Sequence, residues 1–422
     1  MKNQFELLAT KRFLPLFITQ FLGAFNDNVF KNALTILITY NLANIIKIPS
    51  SEMVAIATGV FILPFFLFSA LAGQLADKLE RSRLIRYTKL IEIILAICAI
   101  IGFYLQSISW LMTVLFLLGT QATFFGPLKY AILPDHLHKN ELLAGNGLVE
   151  GGTFIAILIG TILSGILVVQ REGEPFISAV MLAVAVCGWW ASHYIPRAAP
   201  HNPQLKINRN FLLETKRLVD YTRQFPRLFL AIVGISWFWL VGAIFLSEMP
   251  PFVKTILHGH EYIVTLFFTL FSIGIAIGSL ICNWLAKGRV DIKLVLISAL
   301  LMSVFIIDLC WGGWRFTPPT QGIIYLKAFL SSWPGLHLSL DILGIAIAGG
   351  IYIVPLYTRL QTDSDPAFRA QVIASNNIVN AIFMVLSAVF SVMLLRLGFS
   401  ITQLFLVTGI LNIFIGLYIT RK

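Results

Sequence analysis

The sequence predicts an all-α membrane protein with twelve transmembrane helices in two six-helix bundles. Three observations predict it. Of the 422 residues, 58% are hydrophobic and 12% charged, whereas a soluble domain carries about 25% charged residues; the mean hydropathy is +0.84. Apolar segments long enough to cross a hydrocarbon core of about 30 Å recur along the whole chain. A Pro-rich, polar stretch divides them six and six. The first apolar segment is too long for a signal peptide and lacks a small-residue cleavage site, so no cleavable leader is expected.

The spans read from the apolar runs are 13–40, 53–76, 87–107, 110–133, 143–169, 175–195, 228–253, 261–286, 291–311, 336–357, 370–395 and 400–420. Twenty-four of the 31 Lys and Arg residues collect on one side. They lie in the N-terminus, the loops after the even-numbered spans, the central loop and the C-terminus. Six (Lys47, Arg171, Lys254, Arg315, Lys327, Arg396) fall on the other, and Lys31 lies within a span. Cytoplasmic loops of membrane proteins concentrate Lys and Arg, so both termini are expected in the cytoplasm. The same bias accounts for the net charge of +11 without a nucleic-acid partner. Cys98, Cys187, Cys282 and Cys310 sit in or at the ends of spans with no CxxC pair. Free thiols are expected, with neither disulfides nor a metal site.

Residues 1–196 form the expected first bundle, 197–226 a linker and 227–422 the second bundle. The linker opens Pro196-Arg197-Ala198-Ala199-Pro200 and continues with Phe211, Leu212, Leu218, Val219 and Phe225 on one helical face. An amphipathic helix lying on the membrane surface is expected there. The halves look related. Ala144 to Glu150 in span 5 aligns with Ala374 to Asn380 in span 11, and Pro127-Leu128-Lys129 aligns with Pro355-Leu356-Tyr357. Parallel repeats place such matches on equivalent helices. In this alignment Lys129 becomes Tyr357 and Glu150 becomes Asn380. The aromatic stretch from Gly312 to Pro334 suits an interfacial helix.

The first span is the one the others are expected to house. Gln20, Ala24, Asp27, Lys31 and Thr35 make one polar stripe on it, with Asn26, Asn28 and Asn32 beside them. An ionisable residue at mid-membrane costs about 2.5–3.5 kcal/mol on insertion scales and needs a partner or water. Asp27 and Lys31 are four apart, on one face. They are either a fixed ion pair or part of a substrate site. Independently of any family, the bundle charges are Asp27, Lys31, Glu92, Lys129 and Glu150, all in the first half. A zwitterionic headgroup needs both signs: Lys129 or Lys31 for a phosphate, and Asp27, Glu150 or Glu92 for an amine. Asn146, Asn376 and Asn380 are the further polar candidates, with interhelical hydrogen bonding as the alternative role for the last two. Glu248 is either a gate residue or a solvated helix end. The second half lacks mid-span charges and is rich in Phe (Phe238, Phe245, Phe267, Phe268, Phe271), as a surface facing an acyl tail or as ordinary packing.

The loop after span 2 runs Gly73-Gln74-Leu75-Ala76-Asp77-Lys78-Leu79-Glu80-Arg81-Ser82-Arg83. This resembles the loop motif of the major facilitator superfamily and implies that fold, with Gly73, Asp77, Lys78, Arg81 and Arg83 as gating residues. Glycine permits close helix packing, and an aspartate suits a helix N-terminus, where the dipole favours an anion. Glu80 stands where the superfamily has its second glycine. Two further stretches are Phe13-Leu14-Pro15-Leu16-Phe17 through Phe25-Asn26-Asp27-Asn28-Val29-Phe30-Lys31-Asn32, and Phe124-Phe125-Gly126-Pro127-Leu128-Lys129-Tyr130-Ala131-Ile132-Leu133-Pro134, the latter followed by Glu141 to Glu150. They resemble the bacterial lysophospholipid transporter family, and still more the transporter portion fused to a lysophospholipid acyltransferase, over about the first 170 residues. The resemblance implies an inner-membrane flippase. It would move lysophosphatidylethanolamine from the periplasmic to the cytoplasmic leaflet, with roles for Asp27 and Lys129. It leaves room for a coupling cation, Na+ or H+, and implies no other cofactor. Because the sequence ends at Arg421-Lys422, the acyltransferase and acyl-carrier-protein synthetase that would act downstream are expected as a separate chain.

Two other readings compete. Acyltransferases place an acid five residues after a histidine, and His136 and Glu141 have that spacing. The acid is of the wrong type, the loop is short and no second motif follows, so these histidines, like His258 and His260, are expected to be solvated; the protein is not expected to be an enzyme. A cation-coupled exporter of an amphipathic drug or siderophore would share the loop motif. A sensor or scaffold is disfavoured by the charge network.

Overall fold

Caps and prolines set where the apolar runs begin as helices. A computed structural model describes residues 4–41, 50–168, 173–317 and 322–421. Lys2, Lys47, Arg171 and Lys422, used above to orient the chain, lie outside them. After a short 3-10 turn at Gln4–Ala9, the helices of the first half are α1 (Leu14–Ile36), α2 (Ser50–Lys78), α3 (Arg81–Tyr104), α4 (Ile108–Ala131), the one-turn α5 (Leu133–His136), α6 (Leu142–Val168) and α7 (Gly173–Ser192). The linker carries α8 (Phe211–Arg223). The second half has α9 (Pro226–Thr255), α10 (Glu261–Leu285), α11 (Ile292–Arg315), the short α12 (Leu326–Leu330), α13 (Trp333–Asp363), α14 (Arg369–Arg396) and α15 (Ile401–Ile419). Pro15 and Pro226 stand in the first turns of α1 and α9, where the missing N–H costs nothing. Side chains of Ser107, Asn210, Asp291, Ser332 and Ser400 cap α4, α8, α11, α13 and α15.

Ten of the described helices are long and apolar enough to cross a membrane. The twelve crossings expected from the sequence need two more, and α1 and α3 have the length, 23 and 24 residues. α1 carries Asp27, Lys31 and three asparagines, and α3 carries Arg81, Arg83, Arg86, Lys89 and Glu92. α3 also starts earlier than expected, at Arg81 rather than 87, which carries Lys89 two turns into the helix.

Helix packing repeats between the halves. α1 packs on α6 and α7, as α9 packs on α14 and α15. α2 packs on α4, as α10 packs on α13. α3 lies against α4 and α7, as α11 lies against α13 and α15. Across the halves α2 meets α14 and α6 meets α10, again an equivalent pair. The short sequence matches noted above therefore fall on helices that occupy equivalent places.

The halves touch on the side that carries the N-terminal turn, the linker and the C-terminus, here the terminal side. A Cβ at Gly73 would lie 2.7 Å from Ala374 Cβ and 2.9 Å from Gln371 Cα, so only glycine allows α2 this close to α14. Asn146 Nδ2 donates to Gln361 Oε1 (2.7 Å) and Thr358 Oγ1 (3.1 Å), joining α6 to α13. The Tyr130 and Tyr357 rings stack at 4.4 Å across the same junction. The N-terminal turn contributes as well: Gln4 Nε2 donates to the Leu280 carbonyl.

The linker helix forms as expected and also packs against both halves. α8 packs on α2, α9 and α14. Leu218 is buried with Ala70 and Ile378, and Phe211 meets Phe66 edge-on. Asn208 and Gln74 exchange hydrogen bonds, Asn208 N to Gln74 Oε1 at 2.7 Å and Gln74 Nε2 to Asn208 O at 3.2 Å. Leu212 and Phe225, expected on the membrane-facing side, are exposed. The linker thus braces the junction rather than resting on a membrane surface alone. In the aromatic stretch Phe329 is fully buried against Phe267, while Tyr325 and Trp333 are exposed.

Gly73→Leu is expected to part α2 from α14. A cysteine placed at Gln361, buried at the junction, should then react several-fold faster with a water-soluble maleimide than in the parent. Equal labelling rates would show that the glycine contact does not hold this side closed.

Candidate functional site

Between the halves lies a cavity of about 660 Å³, within the range of about 300–1,000 Å³ usual for small-molecule sites. All five positions of the α1 stripe, Gln20, Ala24, Asp27, Lys31 and Thr35, line it. Its floor is the Tyr130–Tyr357 stack on the terminal side. Val54, Ala57, Leu246 and Met384 carry its walls toward the opposite side.

Six charged side chains line it: Asp27, Glu92 and Glu150, with Lys31, Lys89 and Lys129. They sum to zero and all come from the first half. Two acids are engaged. Glu92 accepts from Lys89 Nζ at 2.6 Å, from Gln121 Nε2 at 3.1 Å and from Asn26 Nδ2 at 3.4 Å. Glu150 accepts the hydroxyl proton of Tyr130. Asp27 differs, because its Oδ1 is buried without a hydrogen-bond partner. The Lys31 ammonium lies 4.5 Å above the Phe61 ring and that of Lys129 lies 4.8 Å from the Tyr130 ring. Neither lysine is in an ion pair with a described carboxylate, so Asp27 and Lys31 are not locked together. Cation–π contact is worth up to about 2 kcal/mol when desolvated. That leaves both ammoniums able to take a stronger anionic partner.

Lys89 is the member that sequence reading missed: it falls at the start of the expected span 87–107, beside the basic residues of the loop before it. It is fully buried. A Cβ at position 23 would sit 2.4 Å from its Nζ, so Gly23 on α1 makes the space the ammonium occupies. The available signal was Lys89–Glu92 at three residues' spacing on one helix face.

The other expected site residues divide. Asn28 and Asn380 line the cavity. Asn28 Nδ2 donates to the Ala24 carbonyl (2.7 Å), and Asn380 Oδ1 accepts from Ser236 Oγ (2.7 Å). Asn146 and Asn376 do not line it; both are fully buried toward the terminal side, Asn146 in the junction described above. Asn377, one residue on, faces the cavity in place of Asn376, opposite Gly126. Of the five phenylalanines offered as a tail-facing surface, Phe268 lines the cavity. Phe238, Phe245 and Phe267 are core, Phe245 stacked on Phe405 at 4.6 Å. The apolar wall is instead Phe61, Ile62 and Phe65 of α2 with Leu246 and Met384. Glu248 is mostly buried and accepts from Ser247 Oγ at 3.4 Å.

The loop-motif residues sit at the junction. Asp77 accepts from the backbone N–H of Ala370 (3.0 Å) and Gln371 (3.1 Å) and from Gln371 Nε2 (3.2 Å). It therefore caps the N-terminus of α14 from the other half. Arg81, fully buried, donates to Asp77 (2.9 Å), Asp135 (2.8 Å) and the carbonyls of Ala76 and Ala131. Lys78 is half-buried. Arg83 is exposed, 3.9 Å from Glu80. Glu80 has φ −62° and ψ 116°, ordinary extended backbone, so the turn does not require the glycine found there in the superfamily motif. Glu141 is taken by Arg12 through two bonds of 2.6 and 2.7 Å, which pull its carboxyl down to about 2. It does not orient His136.

A family model for the Major Facilitator Superfamily matches residues 16–388. The chain belongs to that superfamily. It is 25% identical over 358 residues to the lysophospholipid transporter LplT of Serratia proteamaculans, covering 84% of this chain and 81% of that one. It is 26% identical over 364 residues to LplT of Yersinia enterocolitica, covering 84% and 80%. Among solved structures, the human organic anion transporter MFSD10 superposes with a TM-score of 0.77 at 14% identity, over 97% of this chain and 99% of that one. A bacterial homologue of the iron transporter ferroportin, in its outward-facing state, gives 0.68 at 14% identity, over 96% and 100%. These two likenesses show the major facilitator fold.

Removing one partner of a buried ion pair costs about 3–5 kcal/mol, and removing both costs far less. Lys89→Met is therefore expected to lower the thermal midpoint of the purified protein sharply, and Lys89→Met with Glu92→Gln to restore most of it. Additive losses in the double variant would contradict the pairing.

Proposed function

We propose that the protein is a secondary transporter that moves lysophospholipids, lysophosphatidylethanolamine foremost, from the periplasmic to the cytoplasmic leaflet of the bacterial inner membrane. The observation that carries this reading is a neutral cavity of mixed charge with one apolar wall. The partnerless oxygen of Asp27 suits an ammonium donor. Lys129 and Lys31, set against aromatic rings and in no ion pair with a described carboxylate, suit a phosphate. Phe61, Ile62 and Phe65 give a single acyl chain an apolar path beside them. The similarity to LplT over most of the chain supports the same substrate class.

In this reading the first bundle (1–196) carries recognition, the linker (197–226) braces the junction, and the second bundle (227–422) rocks against the first to alternate access. The terminal side is the cytoplasmic one, as the Lys and Arg distribution supports. Asp77 and Arg81 close it. Na+ or H+ is the coupling cation, and an acyltransferase consumes the product.

Spheroplasts lacking their own transporter and expressing this chain should take up labelled lysophosphatidylethanolamine. Asp27→Asn and Lys129→Ala, at matched protein levels, should each reduce the rate at least about tenfold, equivalent to 1.4 kcal/mol. Uptake that survives both variants would remove these residues from recognition. No uptake by well-expressed wild-type protein would favour export of a water-soluble amphipathic compound.

A further inference from the structure

Away from the cavity, α11 and α13 bring together Asp308, His337 and Asp341. His337 Nε2 lies 3.0 Å from Asp308 Oδ2 and 3.7 Å from Asp341 Oδ2. One ligand-capable atom from each of the three falls within 4.8 Å of the others. Asp341 is 2% exposed, and its Oδ2, facing His337, has no hydrogen-bond partner. A buried polar atom left unpaired is costly, and a carboxylate oxygen more so. One imidazolium between two carboxylates leaves the group one positive charge short. A divalent cation held by two carboxylates and a neutral imidazole brings it to zero and gives the Asp341 oxygen a partner.

The geometry favours such an ion. Bonds of about 2.0–2.2 Å in a tetrahedral site put ligand atoms about 3.3–3.5 Å apart. The two distances from His337, 3.0 and 3.7 Å, bracket that spacing, and all three ligand atoms lie within 4.8 Å of one another, so closure needs the two carboxylates to draw in by at most about an ångström. His337 and Asp341 are four apart on α13, which fixes two ligands on one face, and Asp308 supplies the third from the neighbouring helix. The Asp308 side chain is 46% exposed and that of His337 30%. That leaves one side of the group open, with Asp341 closing the inner side. One nitrogen and two carboxylates are too few oxygens for Ca2+, which takes six to eight, and suit a first-row transition metal.

We propose that Asp308, His337 and Asp341 form a binding site for a divalent transition-metal ion of the Zn2+ or Mn2+ kind, which ties the start of α13 to α11. The site is independent of the lipid reading, since none of the three residues lines the cavity. On binding, the proton held between His337 and Asp308 leaves to solvent.

The test is calorimetric titration of Zn2+ into the tag-free, chelator-stripped full chain in detergent, with thermal midpoints read in parallel. One Zn2+ per chain is expected, with a midpoint raised by Zn2+ and lowered again by chelator. His337→Gln and Asp341→Asn should each weaken binding at least about tenfold, 1.4 kcal/mol, and abolish the rise. Asp308→Asn, at a half-exposed position that leaves packing intact, should do the same and guards against a folding defect in the other two. Absence of Zn2+ binding in the micromolar range, or equal binding in wild type and all three variants, would overturn the site and leave His337 as a plain ion-pair partner.

Discussion

The closed side of the molecule depends on one carboxylate. Asp77, at the end of α2, receives the first free N–H groups of α14 from the opposite half. Those groups have no partner within their own helix, and the helix dipole favours an anion beside them. Arg81 holds the carboxylate in place and extends the contact to Asp135, which also meets His201 of the linker (2.9 Å) and, at 3.9 Å, Arg369 of α14. Asp77 and Arg81 are both fully buried. A buried ionic cluster repays its desolvation only when geometry is good, and regains hydration when it opens. An apolar junction would pay the full loss of buried area on opening. A charged one lets closed and open forms lie near each other in energy, as the proposed alternation between them requires.

With the terminal side held shut, the space between the halves becomes a cavity with a floor of stacked tyrosines. Its chemistry is lopsided. The first half supplies every charge, while the second contributes Trp239, Tyr357, Asn377 and Asn380. Of the two buried acid contacts, Lys89–Glu92 ties its own helix face to Asn26 on α1 and Gln121 on α4. It reads as the internal scaffold on which Asp27, Lys31 and Lys129 are presented. Those three are the charges with unspent capacity.

Much of this was legible in the sequence because it depends on local pattern. Apolar runs gave the helices, and the 3.6-residue period placed Gln20, Ala24, Asp27, Lys31 and Thr35 on one face. The resemblance of Gly73–Arg83 to the superfamily's loop motif implied a glycine approach and an anionic cap. What escaped depends on tertiary placement. Asn376 and Asn377 differ by one residue, about 100° around a helix, and only packing decides which faces the cavity. Lys89 looked like a residue at the edge of its span until α3 was seen to begin at Arg81 and Gly23 to make room for its ammonium. The phenylalanines of α9 and α10 could not be assigned to core or cavity from composition. The docking of α8 on α2 and α14 rests on buried Glu214, Leu218 and Thr222, the Phe211–Phe66 contact and a Gln74–Asn208 exchange, most of which no apolar period announces.

The central claim is that a neutral set of charges, with Asp27 free for an amine and Lys129 and Lys31 for a phosphate, selects a zwitterionic single-chain lipid. Equilibrium competition against labelled lysophosphatidylethanolamine on the purified protein tests it most directly. Lysophosphatidic acid of the same chain length has the phosphate and lacks the amine. The account predicts that it competes at least about tenfold less well than unlabelled lysophosphatidylethanolamine, a difference of 1.4 kcal/mol. Equal or stronger competition by the anion would contradict a role for Asp27 as the amine's partner.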